Sequence, residues 1–99
     1  MSLGLPEPAL LILVSLASGP KHGYAIILDV ESLCGLRMGP GTLYGAIARL
    51  ERLGLIEPLP ADDRRRPYRL TDAGATALRT ELATLRDVAA TGLERLAAP

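Results

Sequence analysis

Glycine and proline divide the first half of the chain into short segments. The first apolar run is followed directly by Gly19-Pro20, and the second candidate helix ends at Gly35. A third helix is expected to begin at Pro40, because the fixed φ angle of proline suits a first helical turn, and to end at Gly54. The sequence therefore predicts three short helices connected by tight turns.

The first predicted helix, over residues 9–18, is expected to be buried on most sides. Pro6 and Pro8 precede it where a first turn tolerates proline, and nearly every residue from Ala9 to Ala17 is apolar. The chain is 48% hydrophobic, but it has no Trp, no Phe and only three Tyr. We therefore expect a core of aliphatic side chains, which is typical of packed helices.

The second and third predicted helices carry apolar residues at helical spacing. In the third, Leu43, Ile47 and Leu50 share one face and should pack against the first two helices. Its opposite face carries Gly41, Gly45, Ala48, Arg49 and Arg52. In the second helix, over about residues 22–33, the side chains expected to face inward are Tyr24, Ile27, Leu28 and Leu33.

Residues 55–70 are predicted to form a β-hairpin with a charged tip. Segments 55–59 and 67–70 have the composition of strands, and the polar segment 60–66 connects them. The hydroxyl of Thr71 can then accept a hydrogen bond from a backbone amide as the N-cap of a last helix. Asp72 complements the positive end of that helix dipole.

The last predicted helix, over residues 71–97, carries an apolar stripe with steps of three and four residues. This is the spacing of a coiled coil sustained over about three heptads. A helix of this length extends beyond one side of so small a domain, so part of it needs a partner. The residues expected to contact a second copy of the chain are Leu78, Leu82, Leu85, Ala89 and Leu96.

The predicted elements together form a mainly α fold with a small β-hairpin. Helix, helix-turn-helix, hairpin and long helix follow one another in the order of a winged helix-turn-helix domain. We interpret residues 1–99 as one domain, with a DNA-binding part over residues 6–70 and a C-terminal dimerisation helix over residues 71–97. A chain of 99 residues builds a modest core and often gains burial by pairing with itself.

Positive charge is concentrated in one part of the chain, although the formal net charge is zero. Residues 37–69 contain seven Arg and four acidic residues, which gives this segment a net charge of +3. Local positive charge of this kind attracts the phosphates of nucleic acid.

The sequence contains few residues that could form a catalytic or metal-binding site. One His and one Cys are too few for a zinc site, and no nucleophile is paired with a base in a known pattern. We expect no enzyme activity, no cofactor and no metal. Cys34 is interpreted as a small buried apolar residue of a reducing cytoplasm, and the apolar run at residues 9–17 is too short to span a membrane.

Three stretches of the sequence resemble the PadR family of bacterial transcriptional regulators. Residues 19–24, Gly-Pro-Lys-His-Gly-Tyr, resemble the element that opens the second helix of the family. Residues 40–56, which begin Pro-Gly-Thr-Leu-Tyr, resemble its recognition helix, and residues 66–74 resemble its wing and the start of its last helix. Two positions depart from the family: Gly39 replaces the usual Ser, and Gly45 replaces Pro or a larger residue.

This resemblance implies a homodimeric repressor of transcription. The third helix of each subunit would enter a major groove of double-stranded DNA, the wings would contact flanking backbone, and the last helices would join the subunits. A small aromatic or drug-like effector releases some members from DNA. Whether this chain has such an effector is left open.

Candidate DNA contacts lie on the third helix and on the hairpin tip. Thr42 and Tyr44 occupy the first turn of the third helix, where hydroxyls can donate to a phosphate or a base edge. Arg49 lies farther along the exposed face and could reach a phosphate or a guanine. Three consecutive arginines at the hairpin tip suit phosphate or minor-groove contact: Arg64, Arg65 and Arg66.

Residues ahead of the second helix form a further candidate contact. Lys21 is expected to bind a phosphate, whereas His22 is expected to be structural and Tyr24 to pack inward. The alternative interpretation of the whole chain is a winged helix that binds another protein instead of DNA, because the same fold serves both functions.

Overall fold

A computed structural model describes residues 7–99 of the chain. Pro6, predicted to precede the first helix and to begin the DNA-binding part, lies outside these residues. Within them the chain forms four helices and three short strands. In chain order these are α1 (Pro8–Leu16), β1 (Lys21–His22), α2 (Gly23–Cys34), α3 (Pro40–Arg52), β2 (Ile56–Pro58), β3 (Pro67–Leu70) and α4 (Asp72–Ala97).

The α1 helix lies at the centre of the domain, in contact with α2, α3, α4 and β3. It is apolar on nearly all sides, so burial on several sides at once stabilises it, as predicted. It ends at Leu16, two residues earlier than predicted, because the amide of Gly19 donates to the carbonyl of Leu16 and turns the chain (3.1 Å). Its buried apolar residues are Leu11, Ile12, Leu13 and Leu16.

The inward face of α2 differs from the prediction. Ile26 and Val30 are fully buried and lie four residues apart. Gly23, three residues before Ile26, is also buried. Tyr24, Leu28 and Leu33, which were predicted to face inward, are instead 65%, 50% and 52% exposed, and Ile27 is half-buried. The stripe with Tyr24, Ile27 and Leu28 and the stripe with Gly23, Ile26 and Val30 have similar helical periodicity. The prediction was wrong because only the positions of α1 and α3 determine which of the two stripes is buried.

The end of α2 and the buried face of α3 agree with the predictions made from the sequence. Gly35 ends α2 in the left-handed conformation with φ of 78°, which favours glycine. Leu43, Ile47 and Leu50 are at most 2% exposed, so the predicted inward face of α3 is confirmed. The opposite face of α3 is exposed to solvent.

The sheet contains one strand that the sequence did not reveal. As predicted, β2 and β3 form an antiparallel hairpin, and β1 adds to the free edge of β3, with Lys21 opposite Tyr68. Two residues are too few to produce an alternating pattern. The sheet joins the start of α2 to the hairpin, which is the wing of the domain.

The α4 helix begins as predicted, since the hydroxyl of Thr71 accepts from the amide of Gly74 (3.0 Å). Leu78, predicted to contact a second copy, is only 5% exposed and belongs to the core of its own subunit. That part of the prediction is corrected, because the first two turns of α4 pack against α1. Every residue from Thr84 onward is exposed.

Candidate nucleic-acid interface

The exposed face of α3 presents small residues and few long side chains. Outside the helix itself, a β-carbon at Gly41 or Gly45 would meet no atom of residues 7–99 within 4 Å. Thr42 and Arg49 lie beside these glycines and border one shallow surface depression with them. A helix with this face can approach another surface closely, because its backbone is not screened by side chains.

The tip of the wing is a two-residue turn with unusual backbone angles. Asp62 and Arg65 exchange two backbone hydrogen bonds (2.7 and 2.8 Å), which closes the turn. Asp63 and Arg64 between them have φ of 49° and 69°. Positive φ at both central positions defines a type I′ turn, which glycine and asparagine fill most readily. Arg64 therefore occupies a conformation that is unfavourable for its residue type.

The three wing arginines differ in their contacts. Arg66 donates to the carbonyl of Leu59 (3.0 Å), and Nη1 of Arg65 lies 3.4 Å from Nε2 of His22. Within residues 7–99, the side chain of Arg64 has no hydrogen-bond or ion-pair partner, and all three arginines are exposed. Each guanidinium has five N–H donors, so most of this donor capacity remains free.

A pocket of about 350 Å³ lies between the wing, the start of α2 and α3. All three tyrosines of the chain line it, together with the three wing arginines, His22 and Gly23. A β-carbon at position 23 would lie only 2.6 Å from the hydroxyl oxygen of Tyr44, too close for a non-bonded contact. Gly23 therefore leaves the space in which the ring of Tyr44 packs against the first turn of α2.

Tyr68 forms the inner wall of this pocket and is 8% exposed. Burial raises the pKa of its hydroxyl above the usual 10.0, and Glu51 and Tyr44 raise it further, while Arg66 opposes this shift. The phenol is therefore protonated at neutral pH and available as a hydrogen-bond donor.

Lys21 is directed away from the wing. Its ammonium group donates to the carbonyl of Ser15 and to the hydroxyl of Ser18, at the end of α1. Two of the three N–H donors of this side chain are thus engaged within the domain.

Ion pairs reduce the number of free positive charges in the segment 37–69. Arg69 pairs with Glu57 on the neighbouring strand, and Arg37 pairs with Glu31 of α2 at 3.2 Å. The arginines of this segment without an ion pair inside residues 7–99 all lie on α3 or on the wing tip. They are Arg49, Arg52, Arg64, Arg65 and Arg66.

The structure divides the predicted DNA contacts into two neighbouring groups and a separate lysine. Tyr44 and the three wing arginines line the pocket, whereas Thr42 and Arg49 lie along the exposed face of α3. Four residues that line the pocket were not among the predicted contacts: His22, Gly23, Tyr24 and Tyr68. The sequence contained no clear signal for Tyr24, because the stripe that contains it and the buried stripe of Gly23, Ile26 and Val30 have similar periodicity.

Residues 12–80 match the sequence profile of the Transcriptional regulator PadR-like family, a segment that contains the helix-turn-helix and the wing. The chain belongs to this family. The resemblance inferred from the three sequence stretches is thereby confirmed, and so is the winged helix-turn-helix fold. PadR-like proteins are transcriptional regulators, a class to which this chain is now assigned.

Three proteins illustrate the relation of this PadR-like chain to known ones. The Uncharacterized 37.1 kDa protein in transposon TN4556 of Streptomyces fradiae is 51% identical over 75 residues, 76% of this chain but only 22% of that protein. Transcriptional regulator Rv3488 of Mycobacterium tuberculosis is 41% identical over 81 residues, 79% of this chain and 75% of the relative. The crystal structure of a PadR-like transcriptional regulator from Bacillus cereus has a TM-score of 0.80 at 22% identity, with 92% of each chain covered, which shows the common fold.

The described residues contain neither a membrane-spanning helix nor a cluster of metal ligands. No helix between residues 7 and 99 combines the length and apolar character needed to cross a membrane. Over the same residues, no three side chains of His, Cys, Asp or Glu form a group that could hold a metal ion. Cys34 is half-buried rather than fully buried, and its thiol donates to the carbonyl of Val30 (3.6 Å).

Proposed function

We propose that this PadR-like protein is a homodimeric, sequence-specific DNA-binding repressor of transcription that acts in the cytoplasm. The α3 helix enters a major groove, and the wing contacts the flanking backbone. The observation that carries the proposal is the proximity of Tyr44 on α3 to three exposed arginines of the wing. One continuous surface thus combines a helix for the groove with positive charge for the phosphates.

The exposed face of α3 supports insertion into the groove. Gly41 and Gly45 let the helix backbone approach the floor of the groove, and Thr42 and Arg49 supply the donors that can reach base edges. Ala48, on the same face, offers an apolar contact of the kind that suits the methyl group of thymine.

The conformation of the wing tip supports a role for Arg64 in binding. Glycine at this position would relieve the unfavourable backbone angle, but it would have no charge. An arginine held there, exposed and without a partner in residues 7–99, is best explained by contact with a phosphate.

Dimerisation is proposed from the exposed part of α4. Leu82 and Leu85 are each 40% exposed, and Leu96 is 85% exposed, although all three are apolar. Together with Ala89 they form one stripe along the helix, which a second copy can cover. Val88 and Leu93, which were not predicted, lie beside this stripe and are also exposed.

DNA binding is tested by fluorescence anisotropy with duplex DNA from upstream of the coding region and with an unrelated duplex, at several salt concentrations. We expect tighter binding to the first duplex and a logarithmic salt slope of roughly −0.9 for each phosphate contacted. Changing all three wing arginines to Ala should weaken binding to both duplexes and make the slope shallower. A variant with Ala at Arg79, Arg86 and Arg95 of α4 removes the same charge elsewhere and should retain most of the affinity.

Two results would contradict the proposal. Equal losses in the two triple variants would mean that net charge, and not the wing, controls binding. Weak binding to every duplex, with no dependence on the wing or on Thr42, would favour the alternative of a winged helix that serves a protein partner.

A further inference from the structure

The pocket between the wing, α2 and α3 has a lining of one chemical type. Every side chain with a polar group that lines it can donate a hydrogen bond: one imidazole, three phenols and three guanidinium groups. Among residues 7–99, no Asp or Glu lines the pocket, although Asp62 and Asp63 lie at the adjoining wing tip. Glu51, also outside the lining, acts on Tyr68 by raising its pKa. Such a lining favours a ligand that carries negative charge and several acceptor oxygens.

A phosphate group fits this lining better than a carboxylate. Guanidinium groups bind phosphate oxygens with two parallel hydrogen bonds, and a phosphate ester presents more acceptor atoms than a carboxylate does. The hydroxyl of Tyr68, like that of any tyrosine, is protonated at neutral pH and can donate a hydrogen bond. His22, the N-cap residue of α2, makes no side-chain capping bond. Its Nε2 accepts from Arg65 (3.4 Å), which leaves Nδ1 as the nitrogen that can donate to a ligand.

The pocket is larger than a phosphate group alone requires. Its volume of about 350 Å³ lies in the range of small-molecule sites. Tyr24 and Tyr44 are more than half exposed, so their rings present aromatic surface at the opening. Tyrosine rings of this kind stack on the planar rings of nucleobases.

We propose that this pocket binds one nucleotide, with its phosphate among the wing arginines and its sugar and base beside Tyr24 and Tyr44. The nucleotide is free in solution, because a base in duplex DNA is paired and covered by its neighbours in the stack and cannot place its ring face on Tyr24 or Tyr44. The inference does not rest on the proposed DNA-binding function, although a bound nucleotide would compete with DNA for the wing arginines.

The three tyrosines provide a direct readout, because all of them line the pocket and the chain has no other aromatic residue except His22. With ring-labelled tyrosine, NMR signals are followed during titration with AMP, with adenosine, with inorganic phosphate and with the duplex. We expect AMP to shift the tyrosine signals in a saturable manner. Adenosine, which lacks the phosphate, should bind at least roughly tenfold more weakly, since it cannot use the arginines.

Two variants locate the binding. Tyr24→Ala and Arg64→Ala should each weaken AMP binding by roughly tenfold, the size expected for the loss of one stacking or ionic contact. Arg37→Ala changes an exposed arginine outside the pocket and should leave AMP binding unchanged. Circular dichroism of each variant checks that the fold is retained.

The outcomes separate this inference from the proposed DNA-binding function. If AMP shifts the tyrosine signals in a saturable manner and displaces the duplex, both proposals are supported. If AMP binds while no duplex does, the pocket proposal stands and the proposed repressor function fails. If only the duplex shifts the signals, the pocket residues contact DNA alone and the pocket inference is overturned while the DNA-binding proposal stands. Adenosine that binds as well as AMP would also overturn the inference.

Discussion

The α-carbon of Gly74 faces the backbone carbonyl of Leu55, and a β-carbon at position 74 would overlap that carbonyl oxygen and lie 2.9 Å from its carbon. The same oxygen accepts from the amide of Thr71 (3.1 Å), whose hydroxyl donates to the carbonyl of Gly54 (2.6 Å). The start of α4 is thus attached to the residues that follow α3 by one backbone hydrogen bond and one hydrogen bond from the side chain of Thr71. These contacts set the direction in which α4 leaves the DNA-binding part.

We therefore predict that Gly74→Ala lowers the free energy of unfolding by about 2 kcal/mol or more, because neither backbone can move without breaking hydrogen bonds. Urea denaturation followed by circular dichroism measures this. Gly92→Ala is the matched control on the same helix, since a β-carbon there meets no atom of the described residues outside the helix within 4 Å. It should raise stability by about 1 kcal/mol through helix propensity. A Gly74→Ala protein as stable as the parent would contradict this packing.

Arg64→Gly should separate stability from DNA binding. Glycine relieves the positive φ of the turn and should stabilise the domain by about 1 kcal/mol. Loss of the charge should weaken duplex binding and make the salt slope shallower by roughly 0.9 for each Arg64 that contacts a phosphate, or roughly 1.8 for the proposed dimer. Thermal denaturation and anisotropy are measured on the same samples.

Asp63→Gly is the control for Arg64→Gly, because it relieves the neighbouring positive φ but removes a negative charge. It should leave DNA affinity unchanged or raise it. Undiminished affinity in Arg64→Gly would show that this arginine does not contact the DNA.

Ser15→Ala should not destabilise the protein, although the residue is only 1% exposed. Its hydroxyl has no hydrogen-bond partner within residues 7–99, so its burial is unfavourable. We expect the free energy of unfolding to be unchanged or to rise by up to about 1 kcal/mol. Ser18→Ala should instead lower it slightly, because the hydroxyl of Ser18 bonds to Ser15 and Lys21. A clear loss of stability in Ser15→Ala would reveal a buried water or another partner.

Leu85→Glu should convert the proposed dimer to a monomer, because a carboxylate would have to be buried against the partner helix. Sedimentation velocity measures the change in mass, and circular dichroism reports whether α4 remains helical. Thr91→Glu adds the same charge to an exposed site away from the apolar stripe and should leave the assembly intact. If Leu85→Glu keeps the same dimeric mass as Thr91→Glu, Leu85 of α4 does not lie in the dimer interface.

Local sequence determined much of this fold and part of the candidate site. The inward face of α3, the N-cap at Thr71 and the glycine that ends α2 follow from spacing and backbone preference, which act over a few residues. The same local information indicated the family and the arginines of the wing. These features depend little on what the segment packs against.

Only the tertiary structure decided which face of α2 is buried and which side chains meet. Tyr24, Tyr44 and Tyr68 come from three elements and line one pocket because β1 pairs with β3 and brings the start of α2 to the wing. Leu78 packs into its own core because α4 begins against Leu55. Hydrophobic burial has no direction of its own, so a local pattern with two equivalent stripes leaves the choice to long-range packing.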